Sequence, residues 1–168
     1  MNRRPLSEHR TAVAEHLAGL GGTETITTGD ALHRVTAAPV AAPFSLPLFD
    51  NSAMDGYAVR AGDVSVGTTL PVAGRIFAGD PRPRLSPRTA MAIMTGAPLP
   101  TGADAVIPVE ISHEKDGSVR FDAGTRSGTA VRPAGDDVSA GDQIIDEGVL
   151  LAPRHLGALA ASGVAHLE

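Results

Sequence analysis

The chain has no cysteine and no tryptophan, and aromatic residues make up only 3% of its 168 positions. Without cysteine, disulfides, thiolate catalysis and Cys-ligated zinc or iron–sulfur sites are all excluded. No apolar run approaches the 18 residues of a membrane span. The basic start, Met1-Asn2-Arg3-Arg4-Pro5, leads into no apolar segment of signal-peptide length. A cytoplasmic protein with no membrane partner is the expectation. Positive charge is also scarce: the net charge is −5, and of 14 basic residues all but Lys115 are arginine. No basic patch stands out that could neutralise a row of phosphates, so nucleic acid is not an expected partner. No Gly-Lys-Ser/Thr occurs, which excludes a nucleoside-triphosphate P-loop.

What is present points to strands. Hydrophobic residues make up 42% of the chain, and 19 glycines and 13 prolines are spread along it, the pattern of many short elements joined by tight turns. A first helix is predicted from Ser7, as its cap, to about Leu20, with Val13, Leu17 and Leu20 forming the apolar stripe and Ala14 and Ala18 widening it. His9 and His16 lie on its solvated face and receive no role. A short helical segment is expected over Asp30–Val35, followed by a connector stiffened by Pro39, Pro43 and Pro47. Strands are predicted at Leu70–Ile76, Ala90–Met94 and Ala105–Ile111. Lys115-Asp116-Gly117-Ser118 reads as a hairpin turn with Val119–Phe121 returning. Glycines 128, 135, 141 and 148 punctuate a meander, Pro153 opens a second helix with Leu156, Leu159 and Ala160 turned inward, and Gly163 ends it. Val164–Leu167 reads as a strand that begins where the sequence stops.

Three stretches carry chemistry. In Phe49-Asp50-Asn51-Ser52-Ala53-Met54-Asp55-Gly56-Tyr57-Ala58-Val59-Arg60, an Asp-Gly turn signal precedes an alternating strand, so that Asp50, Asn51, Ser52 and Asp55 can converge near the strand start. An Asx-rich turn bonding only its own backbone is the competing reading. The loop Met94-Thr95-Gly96-Ala97-Pro98-Leu99-Pro100-Thr101-Gly102-Ala103-Asp104 can expose backbone N–H groups beside a hydroxyl and so cradle an oxyanion, or serve as a rigid turn. The third stretch, Val131-Arg132-Pro133-Ala134-Gly135-Asp136-Asp137, brings two adjacent carboxylates.

Taken together with Leu150-Leu151-Ala152-Pro153-Arg154-His155-Leu156, these motifs resemble, in content and order over residues 7–168, the N-terminal half of the MoeA/gephyrin family of molybdenum insertases. The resemblance implies a mostly β fold with a few helices (α+β), built of coiled and bifurcated sheets with an inserted small β-barrel-like domain. Residues 1–45 and 140–168 would form a discontinuous first domain and residues 46–139 the inserted one. It implies an enzyme of molybdenum cofactor biosynthesis, a molybdopterin molybdenumtransferase acting on molybdate and adenylylated molybdopterin, with Mg²⁺ as cofactor bound mainly outside this region. It also implies a homodimer, with a cleft between the second domain of one subunit and the pterin-binding domain of the other. Because relatives continue well past residue 168, the chain looks like the first two domains of the enzyme, inactive by themselves.

Carried over residue by residue, the resemblance places Asp55, Thr95 and Asp137 in the cleft as catalytic residues, with Asp50, Asn51, Ser52, Gly96 and Asp136 in support. Asp55 and Asp137 could protonate a departing oxo group, if burial or a second carboxylate raises a pKa, or could hold a hydrated metal ion through water. Thr95 would orient an oxygen through its hydroxyl and neighbouring N–H groups. Turn capping is the alternative role for all three. A non-catalytic dimerisation or scaffold module of the same pathway is the alternative for the chain. A lipoyl- or biotin-carrier-like barrel fails, because Asp55 stands where such carriers need lysine. His33 departs from the family by standing where relatives usually have glycine, and the arginine-rich loop Pro81–Arg88 carries no family signature.

Overall fold

Turn chemistry determines where the elements begin and end. The structure is a computed structural model describing residues 5–17 and 21–168. In chain order it contains α1 (Leu6–Leu17), β1 (Ile26–Thr27), β2 (Val40–Ala41), β3 (Asn51–Ser52), β4 (Gly56–Val59), β5 (Thr69–Ile76), β6 (Ala90–Ile93), β7 (Ala105–Pro108), β8 (Ser112–Lys115), β9 (Ser118–Phe121), β10 (Val131–Arg132), β11 (Gln143–Ile145), α2 (Pro153–Ala161) and β12 (His166–Leu167). Strands therefore predominate over the two helices. The chain divides into two compact units, Met1–Val40 with Gln143–Glu168, and Ala41–Asp142.

In the first unit, β1 and β12 pair antiparallel, Ile26 opposite Leu167, and seat α2 over a core of Ala31, Ile145, Leu151, Leu159, Val164 and Leu167. Pro153 occupies the first turn of α2, where its missing N–H costs nothing, and Gly163 leaves the helix at φ 75°. Leu159 is buried, but Ala160 is exposed, contrary to the inward stripe expected of it. Three further expectations change. The helix at Asp30–Val35 is replaced by a 3₁₀ turn over Thr28–Asp30, because His33 takes φ 63° and a left-handed residue cannot continue a helix. Helix α1 starts at Leu6, where the Pro5 carbonyl accepts the His9 N–H, so Ser7 lies inside the first turn and does not cap it. Its expected apolar stripe is exposed at Val13 and Leu17, and α1 buries none of its residues. The end expected at Ala18–Leu20 lies outside the described residues.

In the second unit six strands form one sheet in the order β7-β4-β6-β5-β9-β8, antiparallel except for the parallel β5–β6 pair. The two edge strands, β7 and β8, are joined by only the 3₁₀ turn Val109–Ile111, so the sheet must curl to bring its edges near each other. The strand expected over Ala105–Ile111 stops at Pro108, which has no N–H to extend the ladder. The β8–β9 hairpin turns at Asp116 and Gly117, with φ 50° and 74°, the two positive values that an Asp-Gly turn supplies. Inside the curl lie Tyr57, Val59, Leu70, Ile107, Val119 and Phe121, with the Tyr57 and Phe121 rings edge to face at 6.1 Å. Ala58, Ile76, Leu85, Met91, Ile93 and Val106 form a second cluster on the other face. Strand β4 is thus buried on both faces, and its alternation separates two cores rather than core from solvent.

Gly56 is the tightest point of this sheet. It was expected in a turn but it begins β4, and its φ is not positive. A Cβ there would lie 2.2 Å from the Ile107 carbonyl oxygen and 2.9 Å from its carbon. Backbone cannot yield as a side-chain tip can, so Gly56→Ala is expected to cost about 3 kcal/mol, the upper end for overpacking. Urea unfolding should register it as a lowered midpoint. An unchanged midpoint would show that β4 and β7 can separate without loss.

Candidate functional site

The site is assembled on two residues of backbone. Asn51 and Ser52, both buried, form β3, which pairs antiparallel with β10, Ser52 opposite Val131 and Asn51 opposite Arg132. On its other side the same segment meets the Thr95 loop. Gly96 N–H donates to the Ser52 carbonyl (2.8 Å), Ser52 N–H to the Ala97 carbonyl (3.0 Å), and Leu99 N–H to the Asp50 carbonyl (2.9 Å). One short strand therefore gathers all three motif stretches.

The motif side chains divide into two sets. Ser52 Oγ donates to the Met54 carbonyl (2.5 Å) and accepts from the Met54 N–H, while Asn51 Nδ2 donates to the Phe49 carbonyl (3.2 Å). These are the local bonds of an Asx/Ser turn. Asp50 and Asp55 reach further. Asp50 Oδ1 accepts the Ala134 N–H at 2.9 Å, fixing the loop that carries Asp136 and Asp137. Asp55 Oδ1 accepts both the Thr95 hydroxyl and the Thr95 N–H at 2.7 Å. Asp55, Thr95 and Gly96 are exposed.

The two Thr95 donors, the hydroxyl first and the amide second, hold the Asp55 carboxyl below the usual carboxylate range against a smaller upward push from burial. Asp55 is consequently an anion and a hydrogen-bond acceptor at neutral pH, and not the raised-pKa acid that one reading of the sequence required. Only Oδ1 takes part in these bonds.

The oxyanion cradle expected in the Thr95 loop is not formed. Thr95 N–H is donated to Asp55, Gly96 and Leu99 N–H to β3 and its neighbour, Ala97 N–H to the Met94 carbonyl, and Pro98 and Pro100 have none. From Thr95 to Thr101 the loop has spent its amides on its own position.

On the other side of β3, Arg132 reaches Asp137 Oδ1 through Nη2 and Asp136 Oδ2 through Nε at 3.6 Å. The Leu46 carbonyl accepts the N–H groups of Asp137 (2.9 Å) and Val138 (3.2 Å), and Gly135 N–H donates to the Pro47 carbonyl (3.0 Å). Arg132 was given no role from sequence. No sequence signal marks it, because its contacts to Asp136 and Asp137 depend on the turn that follows β10. No hydrogen bond or ion pair joins Asp55 to Asp137. Among the described residues no three His, Asp or Glu side chains gather as a metal site would require. With Asp55 committed to Thr95 and Asp137 to Arg132, these residues do not compose a Mg²⁺ site, and no step is assigned to that ion.

Residues 4–163 match the family described as MoeA N-terminal region (domain I and II). The chain is 44% identical over 170 aligned positions to molybdopterin molybdenumtransferase 2 of Mycobacterium tuberculosis, covering 98% of this chain and 42% of that one. It is 39% identical over 165 residues to the molybdopterin molybdenumtransferase of Haemophilus influenzae, covering 97% and 41%. Two crystal structures of the molybdopterin biosynthesis MoeA protein of Pyrococcus horikoshii superpose with TM-scores of 0.84 and 0.79, at 31% and 28% identity over 87% of this chain. The chain belongs to the MoeA N-terminal region family. It spans about two fifths of the length of the curated relatives it matches. Among the described residues no helix is long and apolar enough to cross a membrane.

Thr95→Val, which removes the hydroxyl donor, should raise the Asp55 pKa toward its ordinary value. The sign follows from the depression: Asp55 contributes stability above its unfolded pKa and loses it as pH falls through the folded value. A carboxyl-carbon NMR titration of Asp55 in both proteins checks this, and an unmoved midpoint would remove the Thr95 hydroxyl as the leading cause.

Proposed function

We propose that this region forms one wall of the site at which a molybdopterin molybdenumtransferase places molybdate into the dithiolene of adenylylated molybdopterin. The observation carrying the proposal is the Asp55 carboxylate held on one oxygen by both donors of Thr95. A group fixed twice at Oδ1 presents Oδ2 in a set direction, and preorganised acceptors of this kind lower barriers without reorganising during reaction. The reaction removes oxygens from molybdate as water or hydroxide and joins the metal to two sulfurs, so protons must leave thiols and reach departing oxygens. An ionised Asp55 accepts the hydrogen bond of a proton-bearing group in this exchange. Asp137, held by Arg132, fixes the opposite loop, and Asp50 ties that loop to the Thr95 side.

The substrates, a cytoplasmic setting and a homodimeric enzyme are part of the same proposal. They are supported by the names of the relatives and by the motif resemblance. The opposite wall would come from the pterin-binding domain of a second subunit, so turnover is tested in a chain of the family's full length carrying these residues.

Asp55→Asn keeps the shape and an oxygen for Thr95 while removing the charge. Single-turnover formation of molybdenum cofactor should fall by about 10²–10³-fold, the range for losing one preorganised polar group. Full turnover by the Asn variant would return Asp55 to the class of turn residues.

A further inference from the structure

The Thr95 loop is held by a side chain from a segment with no assigned role, the arginine-rich loop Pro81–Arg88. Arg82 Nε donates to the Leu99 carbonyl at 2.6 Å. Among the described residues Arg82 forms no ion pair with a carboxylate, and the hydrogen bond its side chain makes is the one from Nε to Leu99. Behind it the two loops are knitted together: Leu85 N–H donates to the Thr101 carbonyl (3.0 Å), Thr101 N–H to the Pro83 carbonyl (2.8 Å), and Leu85 is buried.

Leu99 is the residue through which this connection reaches the site. Its carbonyl accepts from Arg82, and its N–H donates to the Asp50 carbonyl. The far end of the loop is fixed separately, by Arg60. Arg60 Nε donates to the Gly102 carbonyl (2.9 Å), and a Cβ on Gly102, which sits at φ 97°, would lie 3.1 Å from Arg60 Nη2. Asp104 Oδ1 accepts the Ala61 N–H at 2.7 Å, completing that anchor. Between Thr95 and Pro100, by contrast, the loop is held by β3, by Asp55 and by Arg82. Charge-assisted bonds to a carbonyl are shorter and stronger than neutral ones, and 2.6 Å is short even among them.

We propose that Arg82 is a positioning residue: acting through the Leu99 carbonyl, it presses residues 95–99 against Asp50–Ser52 and so keeps Thr95 on Asp55. The proposal rests on the reading of Asp55 and Thr95 as site residues given above. Because it places a reacting group rather than touching substrate, its loss should appear in kcat and leave KM nearly unchanged.

The test uses two substitutions in the full-length protein. Arg82→Gln keeps an N–H donor where Nε stands, and Arg82→Met keeps the stem without a donor. Arg82→Met is expected to lower kcat about 10-fold with KM within twofold, and to speed amide exchange at Leu99 and Thr95 about 10-fold. Arg82→Gln is expected to restore both. A general loss of stability would lower the melting temperature without this kcat-against-KM split and without rescue by Gln, and would overturn the proposal. Unchanged exchange at Leu99 and Thr95 in the Met variant would overturn it as well. If Asp55→Asn and Thr95→Val both retain full turnover, the reading of the site itself fails. The exchange measurement still decides in that case whether Arg82 holds the loop.

Discussion

The backbone pairing of Asp50–Ser52 on both edges is the constraint on which the second unit's functional surface depends. A two-residue strand has little stability of its own, since few hydrogen bonds offset the entropy of fixing it. Here it is a middle strand, with β10 on one side and residues 96–99 on the other. Each flanking loop is rich in glycine and proline, which suits tight turns but gives no independent order. Attachment to β3 supplies that order. Asp55, Thr95, Asp136 and Asp137 thereby become parts of one framework, although they come from segments up to 82 residues apart in sequence.

The charges are arranged locally rather than pooled. The chain is acidic overall, with a formal charge of −5, and its proposed substrates are anions. Each site carboxylate is answered by a nearby donor: Asp55 by the hydroxyl and amide of Thr95, Asp50 by the Ala134 amide, and Asp136 with Asp137 by Arg132. Dipolar donors and a guanidinium so placed reduce the repulsion an incoming anion would meet. The two Thr95 donors also hold the Asp55 pKa below its ordinary value, although that carboxylate is exposed. Elsewhere the same logic runs in reverse. Tyr57, enclosed in the sheet and donating to Glu114 at 2.6 Å, has its pKa pushed up to about 12, by burial first and the carboxylate second, so it remains a neutral donor.

Legibility in the sequence followed how local the physics was. Asp116-Gly117 and Pro153 act through their own φ and N–H, and both were readable. The glycines at 128, 135, 141 and 148 were readable as turns, and all adopt positive φ, but the meander expected there is not formed: β10 pairs with β3 and not with a neighbour in sequence. Gly56 was misread because its reason is the carbonyl of Ile107, 51 positions away, and not the turn that Asp-Gly suggests. His33, at φ 63°, holds a left-handed backbone shape that glycine serves most easily. The apolar positions of α1 could not reveal that the helix buries none of them. In the candidate site, the three stretches that meet at β3 were legible as motifs. The spent amides of the Thr95 loop were not, because Thr-Gly-Ala-Pro does not state which carbonyls will face it. Arg132 and Arg82 were likewise hidden, since both act across a register that only folding defines.

The central claim is that Asp55 and Thr95 work as one unit rather than as two neighbouring turn residues. A double-mutant cycle of Asp55→Asn and Thr95→Val, read by single-turnover formation of molybdenum cofactor in the full-length protein, tests it most directly. A single unit predicts that the double variant is about as slow as the slower single variant, because either change already removes the joint function. Rate losses that add in free energy to within about 0.5 kcal/mol, as independent sites do, would contradict it.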